Sequence, residues 1–218
     1  MNLGSILLSK CLRAFKGGGH DVRASMYLPT LSKVFQERYG FFQGPRTVEE
    51  FDLQKGVVYL HGQFDGFVID QCTVYAEGVG CEGRVGTEDL DRFVDDAVKW
   101  VHEIAKVPPS VELGRGYESR LEVSMDVAIN HTFDRFAEFG RSVTASVRRG
   151  NRPSPDFELS GLIFHGDPIL VGGQRPLPFT IERRAGKPYG DNVYFSEAAL
   201  STGDHLRHLA ELEVLLKG

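Results

Sequence analysis

The spacing of apolar residues predicts one long helix near the middle of the chain. Over about residues 88–106, apolar side chains recur every three or four positions, as on one face of an amphipathic helix. Thr87 suits the N-cap of this helix, and Pro108 and Pro109 prevent its continuation. A helix of this length spans roughly 27 Å, which is enough to cross a whole face of a sheet.

A second helix is predicted over about residues 202–217. It begins with a capping box from Ser201 to Asp204, and leucines then form an apolar side along its length. That apolar side either completes the core or forms a homodimer surface, and both interpretations stay open. A shorter helical stripe covers residues 27–39.

Other apolar runs predict strands. Residues 120–129 alternate strictly between apolar and polar positions, which is typical of a strand with one buried face. Two earlier strands are joined by a turn at Asp65–Gly66, and a third follows within residues 78–86. Residues 131–150 are ambiguous, since a short helix and a strand over 143–147 both fit. Three more strands are predicted within residues 157–165, 178–184 and 192–196.

Together these elements predict an α+β fold. Residues 26–218 would form a single domain, in which a mostly antiparallel sheet is covered by the long helix and the C-terminal helix. Residues 1–25 are predicted to be an N-terminal arm, separated from the domain by three glycines at 17–19. This arm would be mobile, dock as a helix, or act as a weak targeting segment.

The amino-acid composition is typical of a globular domain, and the cysteines indicate its cellular compartment. The chain has 218 residues, of which 41% are hydrophobic, so it can bury a sizeable core. Cys11, Cys72 and Cys81 are too few for a secreted disulfide framework and lack a C-x-x-C spacing. We therefore expect free thiols in a reducing compartment and a cytoplasmic location. The chain contains no run of eighteen apolar residues, so no membrane-spanning helix is predicted.

The distribution of charge favours a protein partner. The net charge is −5, but residues 47–138 carry 19 acidic and 8 basic residues, whereas residues 139–187 carry 8 basic and 4 acidic residues. We therefore expect a non-enzymatic, cofactor-free protein of the interaction, regulatory or inhibitor type, whose partner is charge-complementary. The residues predicted to bind that partner are Arg148, Arg149, Arg183, Arg184, Asp95 and Asp96.

Two similar His-Gly sequences suggest an alternative, enzymatic function. The first is "YLHGQFDG" at residues 59–66, and the second is "IFHGDP" at residues 163–168. If their strands were neighbours, a metal-dependent hydrolase-like site could use imidazoles and carboxylates as ligands or acid–base groups. Its catalytic residues would be His61, His165 and Asp167, with Asp65 as a further metal ligand. No nucleophile elbow, P-loop or dinucleotide-binding motif is present.

A third possibility is binding to a nucleic-acid backbone through the arginines of residues 141–187. Such binding needs several basic side chains on one face of the protein. The overall acidity of the chain and the lack of a known nucleic-acid-binding motif argue against it.

Overall fold

The computed structural model describes residues 1–16, 28–105, 111–132, 134–147, 157–166 and 177–218. Its strands are β1 (Asn2–Lys16), β2 (Val57–Phe64), β3 (Phe67–Tyr75), β4 (Gly78–Gly83), β5 (Val111–Ser124), β6 (Gly161–Phe164), β7 (Phe179–Arg183) and β8 (Val193–Ala198). Its helices are α1 (Leu28–Tyr39), α2 (Thr87–Ala105), α3 (Ile129–Thr132), α4 (Asp134–Val147) and α5 (Thr202–Lys217), with 3₁₀ turns at Val48–Phe51 and Tyr189–Asp191.

The fold class is α+β, as predicted. One eight-stranded antiparallel sheet has the strand order β2-β3-β4-β1-β5-β8-β7-β6. Helices α2 and α5 begin and end within one residue of their predicted limits. The two strands predicted around the Asp65–Gly66 turn are present as β2 and β3, and the strand predicted within residues 78–86 is present as β4. The last three predicted strands are present as β6, β7 and β8. None of the described helices is long and apolar enough to cross a membrane.

The Cα positions separate into two compact units. The N-terminal unit contains residues 6–119 and 200–203, and the C-terminal unit contains residues 1–5, 120–199 and 204–218. Strands β1 and β5 contribute residues to both units.

The prediction of an N-terminal arm was wrong for residues 2–16, because they form strand β1. From residue 9 to 14, β1 pairs with β4, so this stretch is neither a helix nor detached from the sheet. The residues that β1 turns inward include Ser9 and Arg13 as well as Cys11. Because two of these three buried side chains are polar, hydrophobicity alone did not reveal the alternation of the strand. Residues 17–27 lie outside the described part of the chain.

The predicted strand over 143–147 was also wrong, because helix α4 continues to Val147. Phe136, Gly140, Val143 and Val147 follow helical spacing, and the hydroxyl of Thr144 donates to the carbonyl oxygen of Gly140 at 2.9 Å. The β-branched side chains of this stretch had suggested a strand. Strand β5 also differs from the prediction: it starts at Val111 and ends at Ser124.

An aromatic cluster forms the core of the N-terminal unit. The ring of Phe93 on α2 lies 5.0 Å from that of Tyr39, and the ring of Phe35 on α1 lies 4.9 Å from that of Tyr59 on β2. Centroid distances of this size are typical of favourable aromatic pairs. Helices α1 and α2 therefore pack against the same face of this part of the sheet.

Three cysteines stand side by side on neighbouring strands. Cys81 on β4 lies directly opposite Cys72 on β3 and opposite Cys11 on β1. All three are buried free thiols. Burial raises the pKa of the Cys72 thiol, so this thiol stays protonated and unreactive at neutral pH.

The core of the C-terminal unit is built from inward-facing strand residues and helix α5. Leu121, Ile181, Tyr194 and Leu209 are fully buried. The hydroxyl of Tyr194 accepts a hydrogen bond of 3.0 Å from the backbone amide of Ile129, the first residue of α3. This hydrogen bond satisfies one of the amides at the start of that short helix.

Candidate functional site

The fold does not bring the two His-Gly sequences together as neighbours. His61 lies on β2 and His165 directly follows β6, and these two strands stand at opposite ends of the strand order. His61 belongs to the N-terminal unit and His165 to the C-terminal unit, so the proposal that these histidines form one site stays a prediction. Asp167 lies outside the described residues. Within the described part of the chain, no three His, Cys, Asp or Glu side chains are arranged to hold a metal ion.

His61 instead marks a change of face within strand β2. Its backbone has φ of 57°, in the left-handed region that few residues other than glycine adopt. Before it, Val57 and Tyr59 are buried, whereas after it Gly62 is buried and His61 itself is exposed. A Cβ atom at Gly62 would lie 2.4 Å from the ring of Phe41, so only glycine fits beneath this ring. The His-Gly pair therefore lets the buried positions of β2 change from odd-numbered to even-numbered residues.

Asp65 also has a structural role, at the turn between β2 and β3. Its φ is 47° and that of Gly66 is 85°, as a tight hairpin turn with two left-handed residues requires. The carboxylate of Asp65 accepts a hydrogen bond of 2.6 Å from the guanidinium of Arg92 on α2. This confirms the predicted turn and assigns Asp65 an intramolecular partner.

The acidic residues predicted for a partner also contact basic groups of the same unit. The carboxylate of Asp95 pairs with Arg13. The carboxylate of Asp96 accepts hydrogen bonds of 2.9 Å from Arg38 and 2.6 Å from the hydroxyl of Tyr39. These contacts weaken the case for a binding surface made of free acidic charge.

The predicted basic residues are only partly described. In the C-terminal unit, the guanidinium of Arg184 donates to the carboxylate of Glu122 at 3.0 Å. Arg183 is half-buried on β7. Arg148 and Arg149 lie outside the described residues.

Arg13 is the centre of a polar network in the N-terminal unit. It is only 2% exposed, and its guanidinium donates to Asp91 at 2.9 Å and to Asp95. The thiol of Cys11 and the hydroxyl of Tyr117 donate to the same Asp91 carboxylate, at 3.0 and 2.6 Å. Burial alone would raise the pKa of Asp91, but these donors outweigh it and lower that pKa. The network ties β1 and β5 to helix α2.

A buried Ser–His pair lies in the C-terminal unit. The hydroxyl of Ser196 donates to the carbonyl oxygen of Thr180 at 2.6 Å, so the Nε2–H of His205 donates to Ser196 at 2.8 Å. Both side chains are fully buried, which seals the pair from solvent. Burial, and then the nearby His208, lowers the pKa of His205 to about 4. The pair therefore fixes helix α5 to strand β8 with a neutral imidazole.

The backbone of β6 presents hydrogen-bonding groups at the edge of the sheet. On β7, the amide of Arg183 donates to Ser160, whereas the amide of Arg184 donates to Val193 beside β8. In an antiparallel ladder each residue directs its N–H and C=O to the same side. Leu162 and Phe164 therefore bond to β7, and Gly161 and Ile163 direct their N–H and C=O away from it.

The described residues provide no strand for this outer edge of β6. The side chains of Ile163 and Phe164 are 61% and 53% exposed. The strand contains no charge, proline or bulge, the features with which proteins usually protect an edge. At the other end of the strand order, β2 is protected, because Gln43 and Leu60 exchange hydrogen bonds of 3.3 and 2.9 Å.

Replacement of Gly161 by alanine is expected to destabilise the β6–β7 pair. A Cβ atom at Gly161 would lie 2.3 Å from the carbonyl oxygen of Ile181, so the strands must separate. We expect the free energy of unfolding to fall by about 2 kcal/mol, as in other overpacked positions. Urea denaturation measures this loss. Gly190→Ala is the matched control, since a Cβ atom there meets nothing within 4 Å. Equal urea midpoints for the two variants would contradict the close approach of Gly161 to the carbonyl oxygen of Ile181.

The sequence contained part of the signal for this edge. The stretch "GLIF" was predicted as a strand, and it lacks charge throughout. Its position at the end of the sheet could not be derived, because strand order depends on contacts between segments far apart in the chain.

In sequence comparisons, no protein-family model and no curated protein matches the chain.

Proposed function

We propose that this is a protein-interaction module whose C-terminal unit binds an extended polypeptide segment at strand β6. The observation that carries the proposal is the uncharged edge formed by Gly161 and Ile163, whose N–H and C=O groups point away from β7. An added strand would satisfy these groups, as in other proteins that bind peptides by strand addition. The function is non-enzymatic and needs no cofactor.

Exposed apolar side chains support this proposal. In addition to Ile163 and Phe164, Phe139 and Val147 on helix α4 are 69% and 52% exposed. Helix α4 lies against the segment that leads into β6, because the amide of Phe157 donates to Thr144 at 2.9 Å. Exposed apolar surface of this kind commonly marks protein-interaction sites. The proposal therefore rests on backbone pairing and apolar contact rather than on segregated charge.

The expected affinity is modest. Gly161 and Ile163 together offer two donors and two acceptors, and each hydrogen bond contributes about 0.5–1.5 kcal/mol net. Apolar contacts with Ile163 and Phe164 add to this, so we expect dissociation constants in roughly the micromolar range. Because the ladder is backbone-mediated, many sequences of alternating apolar residues should bind.

The test uses a substitution that removes one outward amide. Ile163→Pro deletes an N–H that does not pair with β7, and proline is tolerated at such edge positions. Peptides selected from a random display library against the wild-type chain should bind Ile163→Pro at least about tenfold more weakly, a loss of about 1.4 kcal/mol. Ile163→Val, which retains the N–H, should bind them normally. Selected peptides that bind Ile163→Pro as tightly as the wild type would overturn the proposal, and so would a selection that enriches none.

A further inference from the structure

We infer that the segment bound by β6 is strand β6 of a second copy of this chain. This inference rests on the proposed function, since it names the partner of the same edge. The two copies would pair antiparallel about a twofold axis at Ile163, joining two sheets into one.

The backbone of β6 is complementary to itself. In the register centred on Ile163, the outward N–H of each Ile163 faces the outward C=O of the other. Gly161, the other residue with outward groups, then lies opposite residue 165 of the second copy. A pairing of this kind uses the same surface on both copies and therefore closes as a dimer.

The side chains in this register are also compatible. Ile163 of one copy lies opposite Ile163 of the other, and Leu162 of one copy lies opposite Phe164 of the other. Apolar and aromatic cross-strand pairs stabilise antiparallel sheets. Phe164 is already held at the edge, because its ring lies 6.0 Å from that of Phe179 on β7.

Charge favours self-pairing as well. Residues 159–166 contain no Asp, Glu, Lys or Arg, so two copies can approach without repulsion between like charges along the paired strands. A strongly acidic or basic segment would find no complementary charge on this edge. The exposed Phe139 and Val147 of α4, beside the segment entering β6, supply further apolar surface. A four-residue strand alone would bury less than the roughly 1,600 Å² of a standard interface.

Sedimentation equilibrium of the full chain over a range of concentrations tests this inference. We expect the wild type to change from 24.2 kDa to twice that mass with a dissociation constant in roughly the micromolar range. Ile163→Pro should remain monomeric and Ile163→Val should dimerise. Leu215→Glu alters a 77% exposed side chain on α5, the other predicted dimer surface, and should leave the dimer unchanged.

A cysteine at the proposed axis tests the register. Paired Cα atoms at such a position are about 5.5 Å apart, within the range that a disulfide spans. With oxidised glutathione, two Ile163→Cys thiols should form one intermolecular disulfide and release two glutathione thiols. Val214→Cys changes a side chain that is 69% exposed on α5, outside the proposed interface, and should crosslink far less.

The outcomes separate this inference from the proposed function. A monomeric wild type whose edge still binds the selected peptides would overturn self-pairing and leave strand addition intact. A dimer lost in Leu215→Glu but kept in Ile163→Pro would place the interface on α5 and also overturn self-pairing. A monomer that binds no peptide would overturn both.

Discussion

Replacing Arg13 with methionine is expected to lower the free energy of unfolding by about 3 kcal/mol at pH 7, because the substitution removes one partner of a buried ion pair. Methionine retains most of the apolar stem but leaves the carboxylate of Asp91 without its buried cationic partner. Asp91 would keep its hydrogen bonds from Cys11 and Tyr117. Hydrogen bonds from Cys11, Tyr117 and Arg13 lower the pKa of Asp91 below its ordinary 3.8, so this carboxylate is ionised at pH 4 and the loss should shrink only at lower pH.

Arg115 provides the control for this experiment. Its guanidinium also reaches Asp91, at 3.5 Å, but its side chain is 40% exposed. Exposed ion pairs contribute about 0–1 kcal/mol, so Arg115→Met should change stability little. Urea denaturation of both variants at pH 7 and pH 4 measures the difference. Similar losses of unfolding free energy for the two variants would contradict a larger contribution from the buried ion pair of Arg13.

Replacing His205 with glutamine is expected to flatten the dependence of stability on pH between about 6.5 and 4. The pKa of His205 is about 4 in the folded protein and 6.5 without the fold. As the pH falls below 6.5, the unfolded chain binds a proton that the folded chain excludes, so the folded state is progressively destabilised. At about 1.4 kcal/mol per pH unit, the total loss due to this residue is about 3 kcal/mol.

The glutamine variant isolates this contribution from that of the carboxylates. Its side-chain amide can donate to Ser196 as Nε2–H does, but it does not titrate. The loss of stability from pH 7 to pH 4 should therefore be about 3 kcal/mol smaller in His205→Gln than in the wild type. His208→Gln changes an exposed imidazole on the same helix and should retain most of the wild-type slope. An unchanged slope in His205→Gln would contradict a neutral buried imidazole.

The sequence predicted those elements whose burial follows a regular hydrophobic period. Helix α2 and the hairpin of β2 and β3 are examples, because local apolar spacing and turn residues determine them. Strand β1 was not recognised, since its inward positions carry Ser9 and Arg13. Such buried polar residues are explained only by partners far along the chain, here Thr202 and Asp91.

The candidate site shows the same limit. His61 and His165 attracted a functional interpretation because their sequences are alike, but the first serves a change of strand face and the second follows an edge strand. Asp95 and Asp96 were expected to attract a partner, whereas the fold supplies Arg13 and Arg38 as counter-ions. What the sequence lacked in each case was the identity of the neighbour across the sheet or helix.

The most direct test of the central claim is amide hydrogen exchange at β6, resolved residue by residue in dilute protein. We expect slow exchange at Leu162 and Phe164, which bond to β7, and fast exchange at Gly161 and Ile163. The latter two should become protected when the protein is concentrated or when a selected peptide is added. Protection of Gly161 and Ile163 in dilute protein without peptide would show that the edge is already occupied, and would contradict an open edge at β6.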